Sequence, residues 1–131
     1  MRDELITYLK TLDFGTISVS DELPYTKDAA PLYLSNYKKI YVDRPLLSQE
    51  PVLNTFGGNG YVNQTTTITA YLVLDAKTTV SNYNSIISQM QGAKNAISND
   101  GRISRTCSIS QSYEVDALVT EFTFSFIELL S

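Results

Sequence analysis

The stretch VNQTTTITAYLVL, residues 62–74, decides how the chain is read. Val62, Ile68, Ala70, Leu72 and Leu74 fall on one side of an extended strand, while Asn63, Thr65, Thr67 and Thr69 fall on the other before Tyr71 and Val73. Successive side chains of a strand point to opposite faces, so the pattern predicts one long strand with one side in a core and the other wet or covered by a partner.

Downstream, Thr78 or Thr79 offers a helix cap, and Tyr83, Ile86, Ile87, Met90, Lys94 and Ile97 recur at helical spacing, Lys94 contributing only its stem. Asn99-Asp100-Gly101 supplies a left-handed stop. Two further runs, 102–113 and 117–127, are joined through Glu114-Val115-Asp116 and predict a hairpin. In the second run Leu118, Phe122, Phe124 and Phe126 are read as facing inward. In the first, Ile103, Cys107, Ile109 and Tyr113 share one face, and Ser104, Thr106, Ser108, Ser110 and Ser112 share the other.

Upstream, Leu5, Ile6, Leu9 and Leu12 predict an amphipathic helix over 2–12, with Asp3 and Glu4 at its positive end and Lys10 at its negative end. Gly15 stops it, and Ile17 and Val19 mark a strand over 16–20. Residues 21–31 hold charge and two prolines and predict an exposed loop. Residues 39–43 predict a short strand, with Ile40 and Val42 on one side and Lys39, Tyr41 and Asp43 on the other. Pro45, Pro51 and Gly57-Gly58-Asn59-Gly60 mark 44–60 as a long irregular connection. The order of elements predicts an α+β fold in one domain, 1–131, with two helices packed on one face of a mostly antiparallel β-sheet.

The opposite face of that sheet is rich in Ser and Thr. Solvent-facing strands are commonly guarded by Lys and Glu, so a hydroxyl face points either to packing against another subunit or lining a shared lumen, or to a simple hydrated surface of β-favouring threonines.

With 131 residues, one core is expected. Acidic residues outnumber basic ones 14 to 10, the net charge is −4, and no basic run is present, which opposes a nucleic-acid-coating role. The lone Cys107 and the charged opening Met1-Arg2-Asp3-Glu4 predict a protein made in the cytosol. No apolar run is long enough to cross a bilayer, so no membrane partner is expected.

The chain has no His, which excludes Ser/His/Asp and Cys/His catalysis and imidazole metal centres. Cys107, alternating with Ile103 and Ile109, reads as core. Gly57-Gly58-Asn59-Gly60 lacks the Lys-Ser/Thr of a phosphate loop. The sharpest enzymatic reading joins Asp43 with Asp75-Ala76-Lys77 as a Mg²⁺-dependent nuclease site. Against it stand the frequency of such tripeptides and the absence of a basic DNA-holding surface. No cofactor is expected. Among nine tyrosines, Tyr25, Tyr33, Tyr37 and Tyr61 lie in or beside loops, where Tyr supplies interface area at low entropic cost.

Asp21-Glu22-Leu23-Pro24-Tyr25, Lys39-Ile40-Tyr41-Val42-Asp43, Asp75-Ala76-Lys77, Asn82-Tyr83 and Tyr113-Glu114-Val115-Asp116 through Glu121-Phe122, taken together with the order of elements, carry a further signal. Over essentially its whole length the chain resembles tail terminator proteins of long-tailed, siphovirus-type bacteriophages. The resemblance implies a structural virion protein assembled in the host cytoplasm. Such a protein forms a homo-oligomeric ring, hexameric in that family, which caps the tail tube protein, ends its polymerisation and joins it to the head connector at the tail-neck junction. DNA only passes through the lumen. On this reading the loops 21–31 and 44–60 contact partners, with Asp21, Glu22, Tyr25, Tyr33, Phe56 and Tyr61 as the interface residues. A neighbouring neck or head-completion protein, or a tail-tube subunit, is the alternative within the same particle.

Overall fold

The computed structural model describes residues 1–25, 37–52, 61–75, 83–96, 102–114 and 116–130. The elements run α1 (Arg2–Lys10), β1 (Ser18–Val19), β2 (Lys39–Val42), β3 (Leu46–Val52), β4 (Tyr61–Asp75), α2 (Tyr83–Gly92) with a 3₁₀ turn (Ala93–Ala96), β5 (Arg102–Glu114) and β6 (Ala117–Leu130). The strands form a six-stranded sheet in the order β1-β2-β4-β6-β5, and β3 also pairs with β4. Among the described residues only the β1–β2 contact is parallel. The fold is α+β, with two helices on one face of a mostly antiparallel sheet.

The spine is the β4–β6 ladder, in register from Val62 opposite Leu130 to Asp75 opposite Ala117. Directly opposed residues share a face. Ile68, Ala70, Leu72 and Leu74 therefore stand with Phe124, Phe122, Thr120 and Leu118. Onto this face pack Leu5, Ile6 and Leu9 of α1 and Ile86 and Met90 of α2, with Ala93 of the turn. Phe122, Phe124 and Phe126 are completely buried and anchor the layer. Phe14 and Ile17, in the link after α1, join the same core. Among the described residues the one polar side chain fully enclosed on this face, Thr120, shares a 2.9 Å hydrogen bond with the Tyr83 hydroxyl, which Gln111 also approaches.

Several elements depart from the sequence pattern, each for a local reason. Helix α1 ends at Lys10, two residues before the predicted end, because the Thr11 hydroxyl donates to the Tyr8 carbonyl at 2.6 Å and Gly15 turns the chain with φ of 67°. The strand expected over 16–20 is reduced to Ser18–Val19. The connection expected to be irregular over 44–60 contains β3, which pairs with β4 from Leu46 opposite Thr67 to Val52 opposite Tyr61. Pro51 misled that reading, since proline is tolerated in a strand with one free edge. The predicted caps Thr78 and Thr79, the stripe residue Ile97 and the stop Asn99-Asp100-Gly101 lie outside the described residues.

Strands β2 and β3 lie along the same edge of β4, one after the other. Val42 is opposite Ala70 and Leu46 is opposite Thr67, so Asp43, Arg44 and Pro45 face only Ile68 and Thr69. That extra residue is a bulge, and it reverses the alternation between the two strands. In β2 the even-numbered residues face the helices. In β3 the odd-numbered Leu47, Gln49 and Pro51 do.

Candidate partner interface

The face away from the helices is built by register. On β4 it presents Asn63, Thr65, Thr67 and Thr69; on β6, Thr123 and Ser125; on β5, Thr106, Ser108, Ser110 and Ser112; on β3, Ser48. The hydroxyls on β5 are exposed, whereas those on the central strands β4 and β6 are half-buried by their neighbours. Thr67 and Ser125, directly opposed, bring their hydroxyls to 3.5 Å. Among the described strand residues of this face, the carboxylates Glu50, Asp75, Glu114 and Glu121 stand with a single basic side chain, Lys39, at one corner. The surface is hydroxyl-rich and mildly acidic, with the exposed Leu46 and the half-buried Ile127 on the same side.

One end of this face is not bare. Tyr41, Tyr71, Val73, Ala117 and Val119 form a second, smaller core there, and Tyr25 packs against it. Tyr41, on the side of its strand away from Ile40 and Val42 as the alternation predicts, is fully buried there, opposite Tyr71. The Tyr25 ring meets Tyr71 edge-on, with centroids 5.9 Å apart and planes at 86°. Burial, the Tyr25 hydroxyl and nearby Glu121 and Asp43 all raise the Tyr71 pKa well above the ordinary phenol value.

The segment leading to Tyr25 is held from the helical side. Arg2 donates to the carbonyls of Val42 at 2.8 Å, Asp21 at 2.8 Å and Glu22 at 3.2 Å, and Lys10 pairs with the Asp21 carboxylate at 2.6 Å. The Glu22 N–H donates to the Ser20 hydroxyl. Residues 21–25 thus wrap round the β1 edge from one face of the sheet to the other. Asp21 and Glu22 remain exposed, the Asp21 carboxylate in its pair with Lys10, while Tyr25 is half-buried against its own chain. Tyr61 begins β4 opposite Val52, ten residues from Tyr71 or roughly 33 Å along the strand. Tyr33 and Phe56 lie outside the described residues. The structure therefore groups Asp21, Glu22 and Tyr25 at one end and sets Tyr61 at the other.

The sequence pattern missed the exposed apolar residues at the sheet edges. Leu46 and Leu47 on β3 are 70% and 66% exposed, and Ile109 and Tyr113 on β5 are 37% and 76% exposed. Together with Tyr37 they are the large exposed hydrophobic side chains among the described residues. A usable signal was present: Leu46-Leu47 stands between two prolines in a segment otherwise polar, and such a pair has no core to serve if the segment is a loop.

The carboxylates considered for Mg²⁺ are kept apart. The Asp43 N–H donates to the Thr69 carbonyl at 2.8 Å, and Asp75 lies six residues further along β4, roughly 20 Å away. One ion with ligand distances of about 2.1 Å cannot bridge that gap. Lys77 lies outside the described residues. Among the described residues no group of three or more His, Cys, Asp or Glu is placed to hold a metal, and no helix is long and apolar enough to cross a membrane. Cys107 is half-buried, and burial raises its thiol pKa against the lowering effect of Lys94. In comparisons with protein-family models and with curated proteins, nothing matches the chain.

Proposed function

We propose that this chain is a structural virion subunit that closes into a ring on the tail tube of a long-tailed bacteriophage, ends tube growth and presents the surface that joins the head connector. The observation that carries the reading is the hydroxyl face: four strands present Ser and Thr side by side with carboxylates and one peripheral lysine. Such a surface suits the wall of a channel through which DNA slides, because binding of phosphates depends on clustered Lys and Arg. It equally suits burial against neighbouring subunits, since its middle, where Thr65, Thr67 and Thr69 lie beside Thr123 and Ser125, carries none of the charges that guard open sheet surfaces.

Ring formation on this reading uses a heterologous contact, in which one surface of a copy meets a different surface of the next and rotation closes the set. Six copies are proposed, by resemblance. Asp21 and Glu22, exposed beside α1, offer polar contacts toward a tube or connector protein.

The test is localisation and assembly. Gold-labelled antibody to this chain should mark the tail-neck junction of native particles in electron micrographs, and purified chain added to polymerising tail-tube protein should arrest the tubes at short lengths. Label elsewhere on the particle, or open-ended tubes made by this chain alone, would refute termination. Open-ended tubes would instead identify a tube subunit. DNA nicking that requires Mg²⁺ and is lost in Asp75→Ala would restore the nuclease alternative.

A further inference from the structure

Four of the five exposed large hydrophobic side chains among the described residues sit on two strands, β3 and β5, at opposite edges of one sheet. Each strand pairs on one side only: β3 with β4, and β5 with β6, so among the described residues the other side of each has no strand partner. An open edge carrying apolar residues and little charge is a template for pairing with another chain. The two edges differ from each other, which favours a head-to-tail contact between copies.

The geometry points to β3 of one copy adding to β5 of the next, with Leu47 opposite Ile109, so that the sheet runs on from subunit to subunit. This rests on the ring reading above and specifies the contact that makes the ring. Three observations support it. First, direction: β3 runs opposite to β4, and β5 runs with β4 because both of its intervening pairings are antiparallel. Rotation about an axis along the strands leaves directions unchanged, so β3 and the neighbouring β5 meet antiparallel, the pairing with the more stable hydrogen-bond pattern. Second, face: Leu47, Cys107, Ile109 and Tyr113 all stand on the helix-covered side. With Leu47 opposite Ile109, Ser48 falls opposite Ser108, which continues the hydroxyl side across the junction, and the exposed Leu46 falls opposite Ser110 on that same side.

The third observation is stagger. Leu47 is level with Thr66 of β4, and Ile109, through Phe122, is level with Ala70. The junction therefore steps from level 66 to level 70, four residues for the four strands β3, β4, β6 and β5 that each copy contributes. At roughly 3.3 Å per residue and 4.8 Å per strand, this tilts the strands about 35° from the ring axis, the tilt that closed sheets adopt. The angle does not depend on the number of copies.

The direction of the step also selects which side faces inward. Strands β4 and β5 are parallel and are joined through α2 on the helical face. With the right-handed sense of such crossovers, β5 lies to the right of β4 when β4 runs upward and the helices face the viewer. Strands of a closed sheet coil right-handedly, so each β5 must meet the next β3 lower on its own scale if the helices are outside. Ile109 at level 70 meeting Leu47 at level 66 has that sense. The hydroxyl side then lines the axis.

The experiment is intersubunit disulfide formation in Leu47→Cys/Ile109→Cys, made in a Cys107→Ser background, alongside native mass spectrometry of the unsubstituted chain. Within one copy the two positions are separated by three strand spacings and four residues along the strands, roughly 20 Å, too far for an internal bridge. Oxidation should give a ladder of linked species that stops at the copy number seen in the native mass. Either single variant should stay unlinked, and an equal mixture of the two should stop at dimers. As a second arm, Leu47→Lys should reduce the assembled fraction at least tenfold without changing the circular dichroism, and adding Ile109→Glu should restore it. A ring without the ladder would overturn the edge pairing and leave the ring reading standing. Dimers from one single variant would show a two-fold contact and overturn it, as would a chain that stays monomeric both alone at the highest soluble concentration and when added to tail-tube protein. A complete ladder combined with label away from the tail-neck junction would refute the terminator reading and leave the pairing intact.

Discussion

Tyr25 stands edge-on to Tyr71 at 5.9 Å, with the two hydroxyls 3.4 Å apart. This contact pins the segment leaving β1 to the far side of the sheet. It makes Tyr25 an intramolecular clasp as well as a residue near a candidate interface.

Replacing Tyr25 by Leu keeps an apolar side chain and removes the edge-to-face geometry and the hydroxyl. The expected loss is about 0.5–1.5 kcal/mol, the usual value of such an aromatic pair beyond its burial. Urea unfolding measures it, with the slope unchanged. An unaltered midpoint would show that the clasp does not stabilise the fold.

Alkaline titration probes the same pair. The folded-state pKa of Tyr71 is raised, chiefly by burial, so its contribution to stability is fully present below the unfolded value of 10.0 and is lost as pH climbs above it. Thermal midpoints should fall above about pH 10, and Tyr71→Phe should make that fall less steep. A steeper fall in the variant would reverse the sign of the linkage.

Arg2 and Lys10 both reach the 21–22 segment, but by contacts of different strength. Arg2 makes three hydrogen bonds to main-chain carbonyls from a half-buried position, whereas Lys10 makes one exposed ion pair with Asp21. Arg2→Met should destabilise by about 1–3 kcal/mol, Lys10→Met by less than about 1 kcal/mol. Limited proteolysis should cut near residue 21 faster in the first variant. Equal effects would mean that the main-chain contacts add nothing.

The two sides of β6 should answer substitution differently. Phe124, completely buried, should lose about 3–5 kcal/mol on change to Ala, while Thr123 beside it on the hydroxyl side should change by less than about 1 kcal/mol. Chemical denaturation of the two variants gives both values. If Thr123→Ala matched Phe124→Ala, the assignment of faces would be wrong.

The strong periodic signals were readable without coordinates. The alternation in 62–74 yields β4 within a residue of its observed ends, and the phenylalanines at 122, 124 and 126 identify the core side of β6 because three large apolar residues at period two have one place to go. Helix α2 and the hairpin follow in the same way. What failed was nonlocal. The alternation puts Tyr41 on the correct side of its strand, but only its partner Tyr71, thirty positions later in the chain, reveals that this side holds a second core. β3 hid behind its prolines because an edge position excuses them, and being an edge is a property of the sheet. The relative placement of the candidate interface residues is also nonlocal: Asp21, Glu22 and Tyr25 are neighbours, and Tyr61 is carried to the opposite end by the length of β4.

The spare residue between Val42 and Leu46 uncouples the rim of the molecule from its interior. Because it shifts phase by one position, removing Arg44 would turn β3 over and exchange its two sides while leaving Ile40 and Val42 seated as they are. A single-codon insertion or deletion at this point could therefore change what the rim offers to another molecule, and evolution could retune an assembly there without rebuilding the centre.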